Sequence, residues 1–281
     1  MESRISAQTE CECTPVRAAP IPRPRFRVDS MLLLSIGSLL GFILIWEAIV
    51  YFNIISRALL ASPPEVLGTF WSKFFNRAPD GATLWQHFKA SLTIALTGYI
   101  SAVVVGAPLG LLMGWYKKLD QIVRPIFEVV RPIPPIAWIP LAILWLGIGL
   151  PAKAFIIWLS AFVPSVINSY FGIKITEPVL ISVARTFGAG KWETFRRVGV
   201  PSALPMVFTG LRLSLSSAWM TLVAAELLAA TEGLGYMIQM GRTLARPDII
   251  IVGMLTIGFT GAVMALILEK VESKLAPWRK A

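Results

Sequence analysis

The chain has 281 residues, of which 56% are hydrophobic and only 15% are charged, and its mean hydropathy is +0.69. This composition excludes a soluble globular domain, because apolar segments of about 20 residues are long enough to cross a membrane as helices. The net charge of +10 does not indicate nucleic-acid binding, since the basic residues are dispersed between apolar segments. It is typical of a membrane protein with basic loops on the anionic cytoplasmic face.

The N-terminal segment 1–30 is polar, basic and rich in proline, which predicts a disordered cytoplasmic tail. Its two cysteines, Cys11 and Cys13, are too few ligands for a tetrahedral metal site, and the single histidine, His87, is distant in sequence. We therefore predict no metal site. The next apolar run, 31–52, is long enough to span a membrane and lacks a clear signal-peptide cleavage site, so we predict that it is the first transmembrane helix.

A more polar stretch, 53–89, follows and contains a candidate interfacial helix. The second predicted span, 91–115, carries Gly106, Gly110 and Gly114. Spacing of four residues places these glycines on one helix face, where a neighbouring helix can approach closely.

Four prolines interrupt the next apolar segment, at Pro132, Pro134, Pro135 and Pro140. Broken backbone at membrane depth is tolerated only where protein or a water-filled cavity surrounds it. Pro134 and Pro135 are therefore candidates for a kinked segment that lines a translocation path. The alternative is a short cytoplasmic helix over 121–130 followed by a third span over 133–150, and the two interpretations are compatible.

Three further apolar segments, 154–173, 204–229 and 249–268, bring the number of predicted spans to six. Orientation follows from the distribution of lysine and arginine. With the N-terminus in the cytoplasm, eighteen of these residues fall on the cytoplasmic side and seven on the opposite side. We therefore predict that both termini are cytoplasmic.

The fifth span is the most polar, and its candidate pathway or gating residues are Arg212, Ser214, Ser217, Thr221 and Glu226. Ionisable groups inside a membrane usually face the bundle interior or water. Ser214, Ser217 and Thr221 fall along one side of the helix, whereas Glu226 is turned away from that row. We interpret Glu226 as a structural or gating residue rather than a ligand.

The loop between the fourth and fifth spans, 177–205, is polar and basic, and apolar residues recur in it at helical spacing. The two apolar runs are Leu180, Val183, Ala184 and Phe187, then Trp192, Phe195 and Val198. Gly188 and Gly190 separate them, as a turn between two helices requires. Periodicity alone fits either a helical hairpin at the lipid interface or a docking element for a soluble protein.

The same loop resembles the EAA loop of bacterial ABC-importer permeases. The coupling residues that this resemblance assigns are Ser182, Val183, Ala184, Arg185, Gly188, Val198 and Pro201. Ser182 occupies the position of the family's usual acidic residue, so a salt bridge from that position is not expected here. Lys191 is followed by Trp192 rather than Ser or Thr, so the chain has no phosphate-binding loop of its own.

Three further runs resemble the nitrate, sulfonate and bicarbonate branch of these permeases, namely residues 131–149, 203–219 and 222–238. Within that branch, residues 82–88, 221–231 and 275–278 resemble the permeases of taurine importers. The resemblance implies an all-α membrane protein with the type I ABC permease fold, six transmembrane helices and a cytoplasmic coupling-helix loop.

The resemblance also implies a division of the chain and a set of partners. The implied segments are the tail 1–30, a first span with a periplasmic segment over 31–83, the permease core 84–271 and a cytoplasmic tail 272–281. The expected partners are a second permease copy, two cytosolic ABC ATPase subunits that hold ATP and Mg²⁺, a periplasmic or lipid-anchored binding protein, and membrane lipid. The chain itself is expected to hold no cofactor and to have no enzymatic activity.

The expected function is import of a small anion or zwitterion, taurine or another alkanesulfonate, across the bacterial inner membrane. Nitrate, bicarbonate or another small organic anion is the alternative within this class. An ion-coupled carrier or channel is the alternative of another class, but it requires an internal repeat or coupled intramembrane charges, for which the sequence gives little support.

Overall fold

The computed structural model describes residues 28–229 and 231–275, and these residues are almost entirely helical. Eleven α-helices follow one another: α1 (Val28–Tyr51), α2 (Pro63–Phe75), α3 (Leu84–Trp115), α4 (Lys117–Val130), α5 (Ile139–Leu146), α6 (Leu150–Lys174), α7 (Pro178–Thr186), α8 (Lys191–Thr194), α9 (Val200–Ala229), α10 (Leu234–Thr243) and α11 (Pro247–Leu275). A 3₁₀ turn (Pro135–Trp138) precedes α5, and a π-helical turn (Phe195–Gly199) joins α8 to α9.

The chain divides into two compact units, residues 1–45 and 46–281. The described part of the first unit is the N-terminal portion of α1. The predicted tail 1–30 lies outside the described residues apart from its last three, which are already helical. The end of the predicted C-terminal tail, 276–281, also lies outside them. The second unit contains every site discussed below.

Among the described residues, five helical segments are long and apolar enough to cross a membrane: α1, α3, α6, the run Lys191–Leu227 and α11. Helix α4 and the segment Pro135–Leu146 satisfy the same test only as a pair, with a bend of 83° between them. Six spans are therefore reached only if this bent pair counts as one. The third span predicted over 133–150 is replaced by a shorter segment, because the helix stops at Gly147, whose φ is 75°.

Helix α3 packs along α6 through a row of glycines. A Cβ atom on Gly110 would lie 2.3 Å from the carbonyl oxygen of Val166, and one on Gly114 would lie 2.7 Å from Ile173 Cβ. A side chain at either position would push the two helices apart. The predicted close-packing glycine face is thereby confirmed.

The second helix of the predicted loop hairpin is not separate in the structure. Helix α8 continues through the π-helical turn into α9, and the N–H of Val200 donates to the carbonyl of Phe195. Pro201 and Pro205 lie inside this continuous run, where each lacks the N–H of a regular helix. Wide turns of this kind accommodate such an interruption without ending the helix. The boundary of the fifth span, predicted at residue 204, is thus displaced toward the N-terminus.

Helices α2 and α3 begin at well-defined caps. The N–H of Ser62 donates to Glu65 Oε2 at 3.0 Å, and two prolines, Pro63 and Pro64, open α2. At α3, the N–H of Thr83 donates to Gln86 Oε1 at 2.9 Å, and the N–H of Gln86 returns to Thr83 Oγ1 at 3.4 Å. These caps fix the polar stretch between the first two spans as an ordered segment.

Candidate coupling loop and transport pathway

The loop 177–205 folds into α7, a glycine turn and the start of the long helix that becomes α9. The predicted coupling residues follow one another along it: Ser182, Val183, Ala184 and Arg185 on α7, Gly188 in the turn, Val198 in the π-helical turn and Pro201 in the first turn of α9. The loop is therefore one compact element rather than a flexible connection.

Helix α7 presents an uncovered apolar face. Val179, Leu180 and Val183 are all exposed, and Phe187, directly after the helix, is 87% exposed. Apolar side chains at this spacing on a short amphipathic helix are typical of a helix that docks into a groove of another protein.

Gly188 makes the turn after α7. Its φ is +82°, and its N–H donates to the carbonyl of Arg185 at 2.9 Å, while the N–H of Ala189 donates to the carbonyl of Ala184 at 3.1 Å. This is the helix-ending geometry that glycine adopts without strain. A Cβ atom at Gly188 would meet no other atom within 4 Å, so the requirement for glycine comes from the backbone alone.

Phe195 anchors the loop to the membrane-spanning helices. It is 5% exposed, and its ring lies 5.3 Å from Trp192, 5.4 Å from Trp115 and 6.3 Å from Tyr116, measured between ring centroids. Gly199 allows this approach, since a Cβ there would lie 3.0 Å from Trp115. Aromatic contacts of this kind join the end of α3 rigidly to the start of α9.

Ser182 bonds within its own helix, its Oγ donating to the carbonyl of Pro178 at 3.0 Å. The position therefore contributes no charge, as the sequence predicts. The loop instead contributes two cations to a basic cavity of about 540 Å³ beneath it. Five basic residues line this cavity: Lys117, Lys118, Lys174, Arg185 and Lys191.

The hydroxyl groups predicted to line a pathway lie between α6 and α9. Ser160 Oγ donates to the carbonyl of Ser217 at 3.0 Å and lies 2.7 Å from Ser217 Oγ and 2.8 Å from Thr221 Oγ1. Ser214 is fully buried, and its hydroxyl has no hydrogen-bond partner among the described residues. Ser160 therefore links Ser217 and Thr221 through hydrogen bonds, whereas Ser214 is not part of this hydroxyl cluster.

The proline break and this hydroxyl cluster share a cavity of about 170 Å³. Pro135, Ser160 and Ser217 line it together with Arg131 and Trp138. Pro134 forms the N-terminal boundary of the 3₁₀ turn and is not part of the lining. The kinked segment and the polar side of α9 therefore meet at one site.

Arg212 lies outside this cavity, at the contact between α9 and α11. Its Nη2 donates to Glu272 Oε2, which ties α9 to the end of α11. The Arg212 side chain is half-exposed, whereas that of Glu272 is buried. This ion pair holds two spans together, and Arg212 does not line the cavity at the proline break.

Glu226 is 1% exposed and closes the N-terminus of α10. The N–H of Gly235 donates to Glu226 Oε2 at 2.9 Å, and Ser91 Oγ donates to the same carboxylate at 2.7 and 2.9 Å from its two oxygens. Ser91 also accepts from the N–H of Leu234 at 2.8 Å. A carboxylate at a helix N-terminus satisfies free N–H groups and complements the helix dipole. The contacts support a structural role for Glu226.

Two glycines make room for this carboxylate. A Cβ atom on Gly233 would lie 2.3 Å from Glu226 Oε1, and one on Gly235 would lie 2.7 Å from Glu226 Cβ. Gly233 also has a φ of 131°, a conformation that other residues rarely adopt. The turn between α9 and α10 is therefore built around the carboxylate.

A buried charged cluster joins α2 and α3 to that same turn. Asp80 accepts from Lys73 Nζ through Oδ1 and from His87 Nε2 through Oδ2 at 3.2 Å, and all three side chains are buried. His87 Nδ1 accepts from the N–H of Gly233 at 3.1 Å, which places the ring proton on Nε2. Burial acts to raise the pKa of Asp80, but the hydrogen bonds from His87 and Lys73 more than offset it, so the pKa lies below its usual range.

Sequence reasoning missed Ser160, Arg131 and the Asp80 cluster. Ser160 is a polar residue within an apolar span, and Arg131 is a charged residue directly before the first proline of the break, so both carry the signal of a polar group at membrane depth. Lys73, Asp80 and His87 are spaced seven residues apart, but nothing in that spacing distinguishes a buried cluster from a solvated face.

Residues 106–278 match the family described as binding-protein-dependent transport system inner membrane component. The chain is 36% identical over 254 residues to the taurine transport system permease protein TauC of Escherichia coli (strain K12), covering 90% of this chain and 92% of that protein. It is 30% identical over 239 residues to the putative aliphatic sulfonates transport permease protein SsuC of Bacillus subtilis (strain 168), covering 85% of each.

The nitrate import permease protein NrtB of Synechocystis sp. (strain PCC 6803) is 32% identical over 222 residues, covering 78% of this chain and 81% of that protein. A solved structure of the MetNI methionine ABC transporter in an inward-facing conformation contains a chain with a similar fold, at a TM-score of 0.57 and 20% sequence identity. The similarity covers 66% of this chain and 91% of that chain. This likeness confirms the type I ABC permease fold. The chain belongs to the inner-membrane permease components of binding-protein-dependent ABC transporters, within the taurine, sulfonate and nitrate branch.

Proposed function

We propose that this chain is the membrane subunit of an ATP-driven importer whose substrates are taurine or other small alkanesulfonates. The observation that carries the proposal is the exposed apolar face of α7, which is separated by one short turn from the helical run into α9, where buried Phe195 packs against the end of α3. An apolar helix face that the described residues leave exposed, close in the chain to a helical run packed against a membrane span, suits the transmission of motion from a soluble subunit. Nitrate or another small anion is the alternative substrate, since a nitrate permease is also among the relatives.

The proposed assembly contains two copies of this chain, which together form the pathway. Two cytosolic ATPase subunits bind ATP and Mg²⁺ and receive the α7 face, and a binding protein delivers substrate from the opposite side. Both termini lie in the cytoplasm of a bacterial inner membrane, as the excess of basic residues on that side supports.

Coupling follows from the connection between α7 and α9. When ATP binding closes the two ATPase subunits, the groove that holds Phe187 moves and displaces α7 as a rigid body. The displacement reaches α9 through the continuous helical run that begins at residue 191, and Phe195, whose ring contacts Trp115 and Trp192, holds the start of that run against the end of α3. The hydroxyl cluster around Ser217 is then carried with α9.

The test compares valine at two glycines of the same turn. Gly188 and Gly190 both have open space at the Cβ position, but only Gly188 has a positive φ, whereas Gly190 has φ −68° and ψ 166°, which valine adopts readily. Gly188→Val costs about 1 to 3 kcal/mol of local strain and reorients α7. We expect it to lower ATP-driven uptake several-fold while ATP hydrolysis and the amount of protein in the membrane are retained.

Gly190→Val is the matched control and is expected to transport at close to the wild-type rate. Unchanged uptake in Gly188→Val would contradict the coupling role of the loop. Uptake by the purified chain in liposomes that contain neither an ATPase subunit nor ATP would instead identify an ion-coupled carrier.

A further inference from the structure

The cavity at the proline break combines one cation with two hydroxyl groups on an otherwise apolar wall. Arg131, Ser160 and Ser217 are its polar lining residues, and Pro135 and Trp138 form part of the apolar lining. No Asp or Glu is among its lining residues. A site of this composition favours a small anion with a short apolar body.

The size of the cavity sets the size of the ligand. A protein cavity of about 150 Å³ accommodates benzene, which has about six non-hydrogen atoms. The cavity at the proline break measures about 170 Å³ and therefore accommodates an anion of about seven such atoms. A two-carbon sulfonate, with or without an amino group, is of this size.

Arg131 has hydrogen-bonding capacity to spare. Its described ion pair is with Glu128, at 3.7 Å between Nη1 and Oε2, and both side chains are about half-exposed. A guanidinium carries five N–H donors in a planar fork, and a contact of that length uses little of this capacity. The remaining donors suit the oxygens of a sulfonate.

The hydroxyl cluster is able to turn toward a ligand without moving its heavy atoms. The hydroxyl of Ser160 lies 2.8 Å from that of Thr221 and donates to the carbonyl of Ser217 at 3.0 Å. Ser217 is half-buried and lines the cavity, and its Oγ lies within hydrogen-bond distance of Ser160 Oγ, at 2.7 Å. Rotation about its C–O bond redirects its proton to a ligand oxygen.

We infer that this cavity is a transient sulfonate subsite of the transport pathway, with the sulfonate oxygens at Arg131 and Ser217 and the carbon chain against Pro135 and Trp138. The inference rests on the proposed importer function and names the place where the anion is recognised. Glu128 competes for the same guanidinium and keeps the affinity low, which a site inside a pathway requires if the substrate is to leave.

The test uses the complete importer in proteoliposomes, with its binding protein saturated in turn with taurine, ethanesulfonate or nitrate, and records uptake and ATP hydrolysis together. Arg131→Gln is expected to lower uptake of both sulfonates about tenfold, because it removes a charge-assisted hydrogen bond to the sulfonate. Arg131→Lys retains the charge and is expected to lose less. Ser217→Ala is expected to lower uptake a few-fold, and ATP hydrolysis continues in all three variants.

Arg124→Gln is the matched control, because Arg124 lies on α4, which Arg131 directly follows, approaches the same Glu128 and does not line the cavity. It is expected to transport within about twofold of wild type. Wild-type uptake in Arg131→Gln, or an equal loss in Arg124→Gln, would overturn the subsite and leave the importer function intact. A wild-type complex that transports nitrate but neither sulfonate would overturn the ligand class, and one that transports nothing with ATP would contradict the proposed function itself.

Discussion

Glu226 shows what a single buried carboxylate does in this protein. It accepts from Ser91 and from the N–H of Gly235, and the turn at Gly233 leaves no space for any other side chain beside it. Sequence reasoning placed Glu226 away from the row of hydroxyls on α9 and left its partner unnamed. The partner is the N-terminus of α10, which follows Glu226 by only a few residues but has to fold back to meet it.

Replacing Glu226 with alanine is expected to lower the free energy of unfolding by about 2 to 3 kcal/mol, because it leaves Ser91 and the N–H of Gly235 buried without an acceptor. Glu226→Gln retains one acceptor oxygen and is expected to cost about 1 kcal/mol. Thermal unfolding in detergent measures both. An unfolding profile identical to wild type, together with complete loss of uptake in Glu226→Gln, would show that Glu226 acts on the substrate instead.

The lowered pKa of Asp80 predicts that the stability of the folded protein depends on pH. Its pKa in the folded protein lies below the ordinary value of 3.8, so the ionised form is favoured by folding. The contribution is complete above the unfolded pKa and is lost as the pH falls from about 4 through the lower folded pKa. The unfolding midpoint of the wild type is expected to fall over that window.

In Asp80→Asn this part of the pH dependence should be missing, and the variant should be less stable by about 3 to 5 kcal/mol near neutral pH, since Lys73 remains buried without its counter-ion. Lys73→Met with Asp80→Asn removes both charges and is the control, expected to recover much of that loss. Parallel pH profiles of wild type and Asp80→Asn between pH 3 and pH 6 would contradict the assignment.

At the scale of helices, the glycine face of α3 was predictable, whereas the break after α4 was only partly so. Gly106, Gly110 and Gly114 share a face by spacing alone, and the structure places α6 against that face. The prolines between 132 and 140 correctly indicate a break, but the 83° bend depends on how α4 and α5 pack on α6, which no local pattern encodes.

The sequence also did not predict that α8 continues into α9, and the reason is related. Pro201 and Pro205 indicate an interruption of helical hydrogen bonding, and the sequence does not reveal that a π-helical turn absorbs it. In this turn Phe195 packs against Trp115, a contact between residues far apart in the chain that no local pattern encodes.

Gly110→Ala tests the packing of α3 on α6. The added methyl group would lie 2.3 Å from the carbonyl oxygen of Val166, a backbone atom that cannot move away cheaply, so a loss of about 1 to 3 kcal/mol is expected. Gly258→Ala on α11 meets no atom within 4 Å and is expected to be neutral or slightly stabilising. Unfolding in detergent compares the two variants directly, and equal stability would mean that α3 and α6 are not in close contact.

For the whole molecule, the central claim is that motion of a soluble ATPase reaches the membrane spans through α7. The chain offers the two parts that such transmission needs, an exposed apolar face ending at Phe187 and a buried anchor at Phe195. The resemblance of the loop to the EAA pattern predicts a docking role for α7, and its apolar face is exposed in the structure. The anchor was visible only once α3 and α9 were brought together.

Site-specific cross-linking tests this claim most directly. In a chain whose Cys11 and Cys13 are replaced by serine, a single cysteine is introduced at Phe187, and another variant carries it at Phe75, which is 77% exposed on α2. The complex is purified with its ATPase subunits and treated, with and without ATP, with a short cross-linker that joins the introduced thiol to a lysine amine of the partner. We predict that Phe187→Cys links to the ATPase with a yield that changes on ATP binding, and that Phe75→Cys does not link. A Phe187→Cys chain that never links to the ATPase, or links no better than Phe75→Cys, would contradict the account.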